Sequence, residues 1–538
     1  MEGGSSLYFN ARIHTMDPDL GVAGAMLVRA GRIVAIGTHH DLDGPGVRRI
    51  DLEGRTVVPG FNDSHCHILD FGLALGQLDV SADAVQSIAD IQRAIAVRAR
   101  ETTPGGWITG RGYDQNVLRE RRHPTRHDLD AWSSEHPVIL FHTSGHVLTC
   151  NSAALALAGV DAGTADPAGG EIERNEHGAP TGLFKEAPAM DLVARLIPRP
   201  SVPEGAHAIA RALQTMASFG ITSASDAATG DGPSIEPQLA MYRSALGSGP
   251  CPVRVTLMPQ IFYTAPPGED AVRPASELDT GDAPEWLAIG ATKIFSDGAL
   301  STRTAATREA YLDGADNRGI LLWPQEELER MIDRANRAGW QIATHALGDR
   351  AVEAVVTAYE GALAAQPRPD HRHRIEHCML LDEELATRIG ALGVVPSLQP
   401  DIFRLGDGYV AALGVDRAAQ SIPTGLFARL GIPVAFSSDA PVIPCDPLAV
   451  IRSAVERRTP AGVTLGREHA VTAMEALRNY TVGGAFATHA EREKGRLAAG
   501  MWADFVVLSR DPAQTAVEDL ADVRVTMTVA GGIHTHAA

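Results

Sequence analysis

The sequence predicts an α/β protein: a TIM-like (β/α)8 barrel with a small β-sandwich domain built from both termini and a large insertion after strand 1. Three observations support this fold class. Strand-like runs alternate with helical stretches through the middle of the chain, both ends are rich in short strands, and residues from about 72 to 200 break the alternation.

The middle of the chain supplies eight strand-like runs. They are Val57–Phe61, Ile221–Ser225, Val253–Met258, Thr292–Phe295, Ile342–Thr344, Arg374–Glu376, Val394–Leu398 and Val434–Ser437. Most are separated by stretches of helical composition such as 326–338. Strands that alternate with helices form parallel sheets, so the runs predict a closed α/β barrel.

The two ends of the chain have a different pattern. Runs 25–28, 32–36 and 56–58 are separated by Gly or Asp-Gly, and runs 504–508 and 523–529 lie near the C-terminus. We therefore expect residues 1–58 and 490–538 to form one composite β-sandwich domain and residues 59–489 to form the barrel. The stretch at about 72–200 is too long for a barrel loop, which predicts an inserted subdomain.

The composition excludes several classes of protein. The 538 residues are 44% hydrophobic, which is ordinary for a globular protein, and 47 basic against 66 acidic residues give a net charge of −19. Such a balance argues against a general binder of nucleic acid or anionic membranes. Five cysteines without a CxxC pair favour a reducing compartment, and the first residues lack a secretory leader pattern. We expect a cytoplasmic protein without a transmembrane helix.

Lysine is rare in this chain. Only Lys185, Lys293 and Lys494 stand among the 47 basic residues. A lysine amine can lose its proton and be modified, whereas arginine stays charged. Lys185 and Lys494 are expected to be surface charges, while Lys293 lies within a predicted barrel strand.

A histidine pair provides the first candidate for a metal site. His65 and His67 end the run 59–67, and side chains two residues apart on a strand point to the same side, with Asp63 behind them. Two imidazoles at the mouth of a strand can bind a metal. The spacing alone leaves a metal site and a chance pair equally open.

Further candidate ligands lie on other predicted strands. His345, His377 and Asp439 each follow a strand-like run, and Lys293 lies within another. These positions are at or near the C-terminal ends of strands 4, 5, 6 and 8, the face on which barrel enzymes place their chemistry.

Several motifs in order make the sequence resemble the metal-dependent amidohydrolase superfamily. They include "VVPGFNDSHCH", "WITGRGYDQN", "SGHVLTCNSAAL", "TKIFSDGALSTRTA", "THALGDRAV", "RIEHC", "FSSDAPV" and "EKGRLAAGMWADFVVL". Within the superfamily the chain resembles the amidohydrolase family 3 branch that includes N-substituted formamide deformylase, nearly from end to end. Asp401 and Tyr113 depart from the residues common in this branch, which bears on the substrate rather than on the metal.

The resemblance implies a binuclear centre. His65, His67 and Asp439 would hold one ion, and His345 and His377 a second, with Lys293 bridging the two as a carbamate. Imidazole and carboxylate ligands suit zinc, and other divalent metals such as manganese or iron also fit. The alternative for Lys293 is a lysine that forms a salt bridge within the barrel.

The implied reaction is hydrolysis of a non-peptide carbon–nitrogen bond. A metal-bound hydroxide would attack the amide, and Asp439 would act as general base and then general acid. Deformylation of N-substituted formamides is one candidate; another amide, such as an N-acyl amino acid or a cyclic amide, is an alternative. A non-catalytic metal-binding regulatory protein is the alternative from another class. The expected partner is a small-molecule amide, without nucleic acid or membrane, and a homodimer is the usual assembly.

Other residues are candidates for substrate contacts. Tyr113, Asp114 and His146 come from the insertion, where core packing or turn capping is the alternative. Asp297 and Arg303 follow strand 4, and a mutual ion pair is favoured over contact with a substrate carboxylate.

The sequence assigns no catalytic role to three further groups near the predicted strand ends. Asp226 ends a strand and has no assigned role. Cys66 and Cys378 adjoin ligands but point the opposite way along their strands, which disfavours a nucleophilic thiol.

Overall fold

A computed structural model of the chain describes residues 4–538 except 82, 116, 132–134, 143–146, 168–169, 231–233, 248–250, 267–271, 282–283 and 313–315. Its contacts divide the chain into two compact units. Residues 1–72 and 202–538 belong to the first unit, and residues 73–201 belong to the second.

The strands, in chain order, are β1 (Ser6–His14), β2 (Val22–Arg29), β3 (Arg32–Gly37), β4 (Arg48–Asp51), β5 (Thr56–Pro59), β6 (Phe61–Cys66), β7 (Leu78–Asp79), β8 (Ile108–Tyr113), β9 (Val138–His142), β10 (Val147–Cys150), β11 (Glu171–Arg174), β12 (Pro180–Lys185), β13 (Ile221–Thr229), β14 (Arg254–Pro259), β15 (Leu287–Ile289), β16 (Thr292–Phe295), β17 (Ile342–Ala346), β18 (Arg374–His377), β19 (Val395–Leu398), β20 (Ala435–Phe436), β21 (Phe505–Leu508), β22 (Val525–Ala530) and β23 (Ile533–Ala537).

The α-helices are α1 (His39–Leu42), α2 (Ile68–Gly76), α3 (Ile88–Glu101), α4 (Arg126–Asp130), α5 (Ser152–Ala158), α6 (Ala187–Ala194), α7 (Val202–Ser218), α8 (Glu236–Leu246), α9 (Ile261–Thr264), α10 (Gln325–Arg337), α11 (Asp349–Ala365), α12 (Glu383–Leu392), α13 (Gly406–Leu413), α14 (Val415–Ala419), α15 (Thr424–Arg429), α16 (Pro447–Glu456), α17 (Ala473–Arg478) and α18 (Gly484–Ala487).

Both termini contribute to one eight-stranded sheet. Its order is β23-β22-β21-β5-β1-β2-β3, with β4 also paired to β1. The N-terminal and C-terminal parts meet where β5 pairs antiparallel with β21, which places Val57 opposite Val507. Both valines are buried in a core with Tyr8, Met26 and Phe505. The strands predicted near both ends are confirmed, and β1, β4 and β23 were not predicted.

The remaining strands of the first unit form two parallel sheets. One has the order β15-β14-β13-β6 and the other β16-β17-β18-β19-β20. A parallel bridge between Gln260 and Lys293 joins the sheets on one side. On the other side the backbone N–H of Asp439 donates to the His65 carbonyl over 2.8 Å, which joins the exit of β20 to β6.

The prediction for barrel strand 1 was wrong in its boundaries. Residues 56–59 pair within the terminal sheet, and the parallel sheet begins only at Phe61. The chain changes sheets at Gly60, where a Cβ atom would lie 2.0 Å from the Thr222 hydroxyl oxygen. Only Gly60 lies between the two buried strands, so no loop or turn sequence marked the boundary.

The fourth predicted strand, Thr292–Phe295, is β16, and a short strand that was not predicted, β15, precedes it. β15 pairs with β14 and β16 pairs with β17, with Gly290 and Ala291 between them. The other predicted barrel strands each overlap an observed strand within a few residues. The helix expected at 326–338 is α10, which buries Leu328, Met331 and Ile332 on one face.

The second unit has its own sheet and core. Its six strands run in the order β11-β12-β10-β9-β8-β7. Helix α3 presents Ile88, Ile91 and Ile95 to Val138 and Leu140 of β9. The alternation of apolar residues three and four apart explains why this helix packs against the sheet.

Among the described residues, no helix combines the length and the apolar character that a membrane crossing needs. All five cysteines are buried free thiols.

Candidate metal centre

Three predicted ligands meet where β6 and β20 end. Nε2 of His67 lies 3.2 Å from Oδ1 of Asp439, and Nε2 of His65 lies 3.4 Å from the same oxygen. One ligand atom from each of the three residues lies within 4.8 Å of the others. The chain thus directs two imidazoles and one carboxylate at a common point.

The other predicted ligands surround this point. Nζ of Lys293 lies 3.4 Å from Nε2 of His65. The ring of His377 lies 4.8 Å from that of His65 and 4.6 Å from that of His345, between ring centroids. The structure therefore brings together all six residues that the sequence singled out as ligands.

His65, His377 and His345 each donate a hydrogen bond from one ring nitrogen. Nδ1 of His65 donates to a carboxylate oxygen of Glu376 over 2.5 Å. Nδ1 of His377 donates to Oε1 of Gln399 over 2.8 Å, and the Gln399 amide N–H group donates to Ser437. Such bonds fix the tautomer and leave the other nitrogen free to bind a metal.

His345 is held in the opposite sense. Its Nε2 donates to the Gly298 carbonyl over 3.1 Å, which leaves Nδ1 as the available lone pair. Glu376, Gln399 and Gly298 were not predicted to contribute. Glu376 lies within "RIEHC", and Arg374 donates to it over 2.8 Å from two residues earlier on the same side of β18. The same-side spacing of Arg374 and Glu376 was the one sequence signal for this buried pair.

Two ligand candidates leave their strands in an unusual backbone conformation. His377 has φ of 68° and Asp439 has φ of 61°. Residues other than glycine rarely occupy this left-handed region, and such strain clusters at functional sites. The turn allows His377 to face the other imidazoles although Glu376, its neighbour, already points toward His65.

Burial shifts most of the basic groups at the centre toward their neutral forms. Burial, together with the charge of Lys293 nearby, lowers the pKa of His345 to about 3. Burial also lowers the pKa of Lys293 to about 8. His65 and His377 are shifted the same way, again mainly by burial. A neutral imidazole and a neutral amine are the forms in which these groups donate a lone pair.

His67 behaves differently from the other histidines. Burial alone would lower its pKa, but the Asp439 carboxylate beside it raises the pKa above its ordinary value. The Asp439 carboxylate thus favours a proton on His67 when no cation is bound. A bound cation would take the place of that proton.

The donor set fits a divalent metal. Oδ1 of Asp439 is buried and has no hydrogen bond from any described residue. A buried carboxylate oxygen without a donor is costly unless a cation satisfies it. Together with nitrogen lone pairs it forms the mixed imidazole and carboxylate set that zinc accepts.

A cavity of about 200 Å³ opens beside these groups. His65, His67, His345, His377 and Asp439 line its polar end. Its other walls are largely apolar: Phe295, Leu300, Leu347, Met379, Ile402, Leu405, Tyr409, Ile422 and Val442. No lysine or arginine is among the described residues that line it.

Asp297 supports the loops around the centre. Its carboxylate accepts backbone N–H groups from Ala306, Leu347 and Gly348 over 2.9 to 3.1 Å. Burial raises its pKa to about 7. The Arg303 guanidinium donates to the carbonyl of Ser301 over 3.0 Å. The hydrogen bonds of Asp297 and Arg303 differ from the ion pair that was expected between these two residues. The bonds of Asp297 hold together the loops that contain Ala306, Leu347 and Gly348.

The candidates from the insertion lie in the second unit. Tyr113 is fully buried there, and its hydroxyl lies 3.0 Å from that of Thr149. Oδ1 of Asp114 lies 3.9 Å from Nε2 of His142. His146 lies outside the described residues. Their contacts with a substrate stay predictions.

The remaining groups near the strand ends have structural partners. Asp226 accepts the backbone N–H of Ile68 over 3.1 Å and the hydroxyl of Tyr242. Cys66 donates its thiol hydrogen to the Ser225 carbonyl over 3.3 Å. Burial raises the pKa of the thiols of Cys66 and Cys378, so neither is poised as a thiolate.

The fold and the centre together define a class, the metal-dependent hydrolases of TIM-like α/β fold. The structure matches a metal-dependent hydrolase from Pyrococcus furiosus with a TM-score of 0.76 and 27% identity, covering 95% of this chain and 100% of that one. The sequence matches the Amidohydrolase family over residues 48–535, and the chain belongs to that family.

Two relatives extend this result. The YtcJ protein of Bacillus subtilis is 32% identical over 536 residues, covering 98% of both chains. N-substituted formamide deformylase of Arthrobacter pascens is 30% identical, covering 98% of this chain and 97% of that protein. The protein is thus an enzyme of the amidohydrolase class, which acts on carbon–nitrogen bonds other than peptide bonds.

Proposed function

We propose that the protein hydrolyses a small, neutral amide at a centre of two divalent metal ions. His65, His67 and Asp439 would hold one ion, and His345 and His377 the other. Lys293, as a carbamate, would bridge them. The convergence of these six side chains supports this assignment. So does the buried Oδ1 of Asp439, which accepts no hydrogen bond from a described residue.

The chemistry divides between the metal and the chain. When bound, the metal supplies Lewis acidity toward water and the substrate carbonyl, and zinc is the ion that the ligands favour. Asp439 would accept the proton from water and return it to the departing nitrogen. Its place beside His67 and His65 keeps the carboxylate within reach of the reacting atoms.

The lining of the cavity beside the metal centre indicates which class of amide the enzyme accepts. An N-acyl amino acid would bring a carboxylate, and a buried carboxylate needs a cation or several donors. The described lining offers apolar groups and no lysine or arginine. A cavity of about 200 Å³ suits one apolar substituent of ring size. N-substituted formamides meet these conditions, and an apolar cyclic amide is the second candidate.

The finer architecture is also part of the proposal. The two parallel sheets would close into one (β/α)8 barrel with β15 and β16 as a single interrupted strand. The terminal strands would form a β-sandwich, with residues 1–58 and 490–538 as its domain and about 72–200 as an inserted subdomain. The bridge at Gln260 and the hydrogen bond from Asp439 support closure. Homodimer assembly and a cytoplasmic location stay predictions.

A substrate panel with metal analysis tests the function. The purified protein would be analysed for metal and given N-benzylformamide, N-acetylphenylalanine, an apolar lactam and their products as blanks. We expect divalent metal and release of formate and amine from the formamide, with at least tenfold lower kcat/KM for the acyl amino acid. Metal without turnover of any amide would instead support a regulatory protein.

A further inference from the structure

A second cavity lies in the first unit, near the amino-terminal ends of β14 and β15. It measures about 410 Å³, and the groups that matter for its chemistry are Lys494, Arg32, Trp286, Ile289, Trp502 and Glu493. The metal-ligand candidates lie at the carboxyl-terminal ends of the parallel strands. The second cavity is therefore separate from the centre described above.

Lys494 is buried and lacks a partner. Only 9% of its surface is exposed. Its ammonium makes no hydrogen bond to a described residue and has no described carboxylate within 4.0 Å, and the negative charge of Asp504 acts on it only from beyond that distance. The sequence predicted a surface charge here, so that prediction was wrong. A buried cation without a partner is unfavourable, and burial lowers the Lys494 pKa to about 8.

The other cations of this cavity are already satisfied. Nε of Arg254 donates to Asp504 over 2.8 Å, and its Nη1 donates to the Glu285 carbonyl over 2.7 Å. Arg32 pairs with Glu493 over 3.1 Å. Lys494 thus leaves one positive charge at the cavity that the described carboxylates do not pair.

The walls around Lys494 include stacked side chains and are in part apolar. The guanidinium of Arg254 lies between two tryptophans, 4.2 Å from the ring centroid of Trp286 and 4.1 Å from that of Trp502. Arg32 lies 3.8 Å from the Trp502 ring as well. This stack holds the wall in place, and Val255 and Ile289 add aliphatic surface.

We propose that this cavity is a second binding site, which takes a small monocarboxylate with an apolar body. Lys494 would pair with the carboxylate, and the aliphatic wall would contact the rest of the ligand. One unpaired cation matches one negative charge, whereas a phosphate monoester carries close to two. The exposed carboxylate of Glu285 also borders the cavity and disfavours a more highly charged anion.

The scarcity of lysine makes a direct test possible. The metal-loaded wild-type protein would be treated with acetic anhydride, and acetylation of each lysine would be followed by mass spectrometry. One ion pair with one ring gives millimolar affinity, so about 20 mM benzoate should slow acetylation of Lys494 about fivefold. Lys185, which is 37% exposed and pairs with Glu171, is the internal control. Its rate should not change.

Comparing benzoate with benzamide, formate and inorganic phosphate tests which chemical groups the site recognises. Benzamide, the neutral analogue, should not protect Lys494, and formate should protect less than benzoate because it lacks the ring. Equal rates with and without benzoate would overturn the site, as would equal protection by benzamide. Protection by inorganic phosphate as strong as that by benzoate would overturn the assignment to a carboxylate.

A variant provides a second readout. Benzoate should raise the Tm of the wild type and of Lys185→Met, but not that of Lys494→Met. An equal rise in Lys494→Met would contradict the proposal. Should this variant fail to fold, the acetylation of the wild type still decides the question, because it needs no substitution.

Discussion

Lys293 and Lys494 are both buried, and burial lowers the pKa of each to about 8. Their neighbours differ. Lys293 lies among imidazoles and a carboxylate that share its end of the strands, whereas Lys494 lies beside satisfied arginines and tryptophans. The same amine is therefore assigned to a metal bridge in one region and to an anion in the other. What surrounds the amine, rather than its burial, separates the two roles.

The largest effect should come from the carboxylate of the metal centre. Asp439→Asn keeps an oxygen that can bind a metal but removes the proton acceptor. We expect kcat to fall about 10³-fold while most of the metal remains. Steady-state kinetics and metal analysis of one preparation measure both. A kcat near that of the wild type at full metal content would exclude the acid–base role.

A smaller effect should follow from the group behind His65. Glu376→Gln weakens the acceptor that orients the ring, and metal affinity should fall about 10- to 100-fold. Titration with a competing chelator measures it. Glu176→Gln, at a side chain that is 85% exposed, is the matched control and should leave affinity unchanged. Unchanged affinity in Glu376→Gln would show that the hydrogen bond does not tune the centre.

The burial of Lys494 should make the free energy of unfolding depend on pH. In the folded state Lys494 loses its proton near pH 8, but in the unfolded state only near 10.5. Between these values the unfolded state binds more protons, so this group favours folding more as pH rises. The wild type should gain about 2 kcal/mol relative to Lys494→Met between pH 7 and 10 in urea unfolding. A pH-independent difference would mean that Lys494 is paired.

The substrate preference should change when a charge is placed at the edge of the cavity beside the metal centre. Val442 lines that cavity and is 57% exposed, so a longer side chain can be placed there. Val442→Arg should raise kcat/KM for N-acetylphenylalanine about fivefold relative to N-benzylformamide. Val442→Gln provides a neutral control of similar length. An equal change in both variants would point to size rather than charge.

The sequence predicted which side chains converge at the centre better than it predicted the residues around them. His65 and His67 were found because two-residue spacing on a strand forces a common direction. His345, His377 and Asp439 were singled out because each ends a strand-like run. Glu376 was not assigned, since only contact between β18 and β6 shows that it reaches His65.

The change of sheet at Gly60 and the burial of Lys494 were not predicted, and both have the same physical cause. Gly60 divides two strands that belong to different sheets, and only the close approach of Thr222 explains the division. Lys494 precedes a glycine near the C-terminus, which suggested an exposed turn. The cavity around it includes Arg254, Trp286 and Ile289, which are distant in sequence. Such long-range packing leaves no local pattern to detect.

Replacement of Lys293 tests the central claim most directly. Lys293→Arg retains a positive charge but cannot form a carbamate, and Lys185→Arg is the matched control. Metal content and hydrolysis of the best amide would be measured for both variants and the wild type. We expect two ions per chain and full activity in the wild type and the control, with loss of an ion and of turnover in Lys293→Arg. Two bound ions and wild-type turnover in Lys293→Arg would contradict the account.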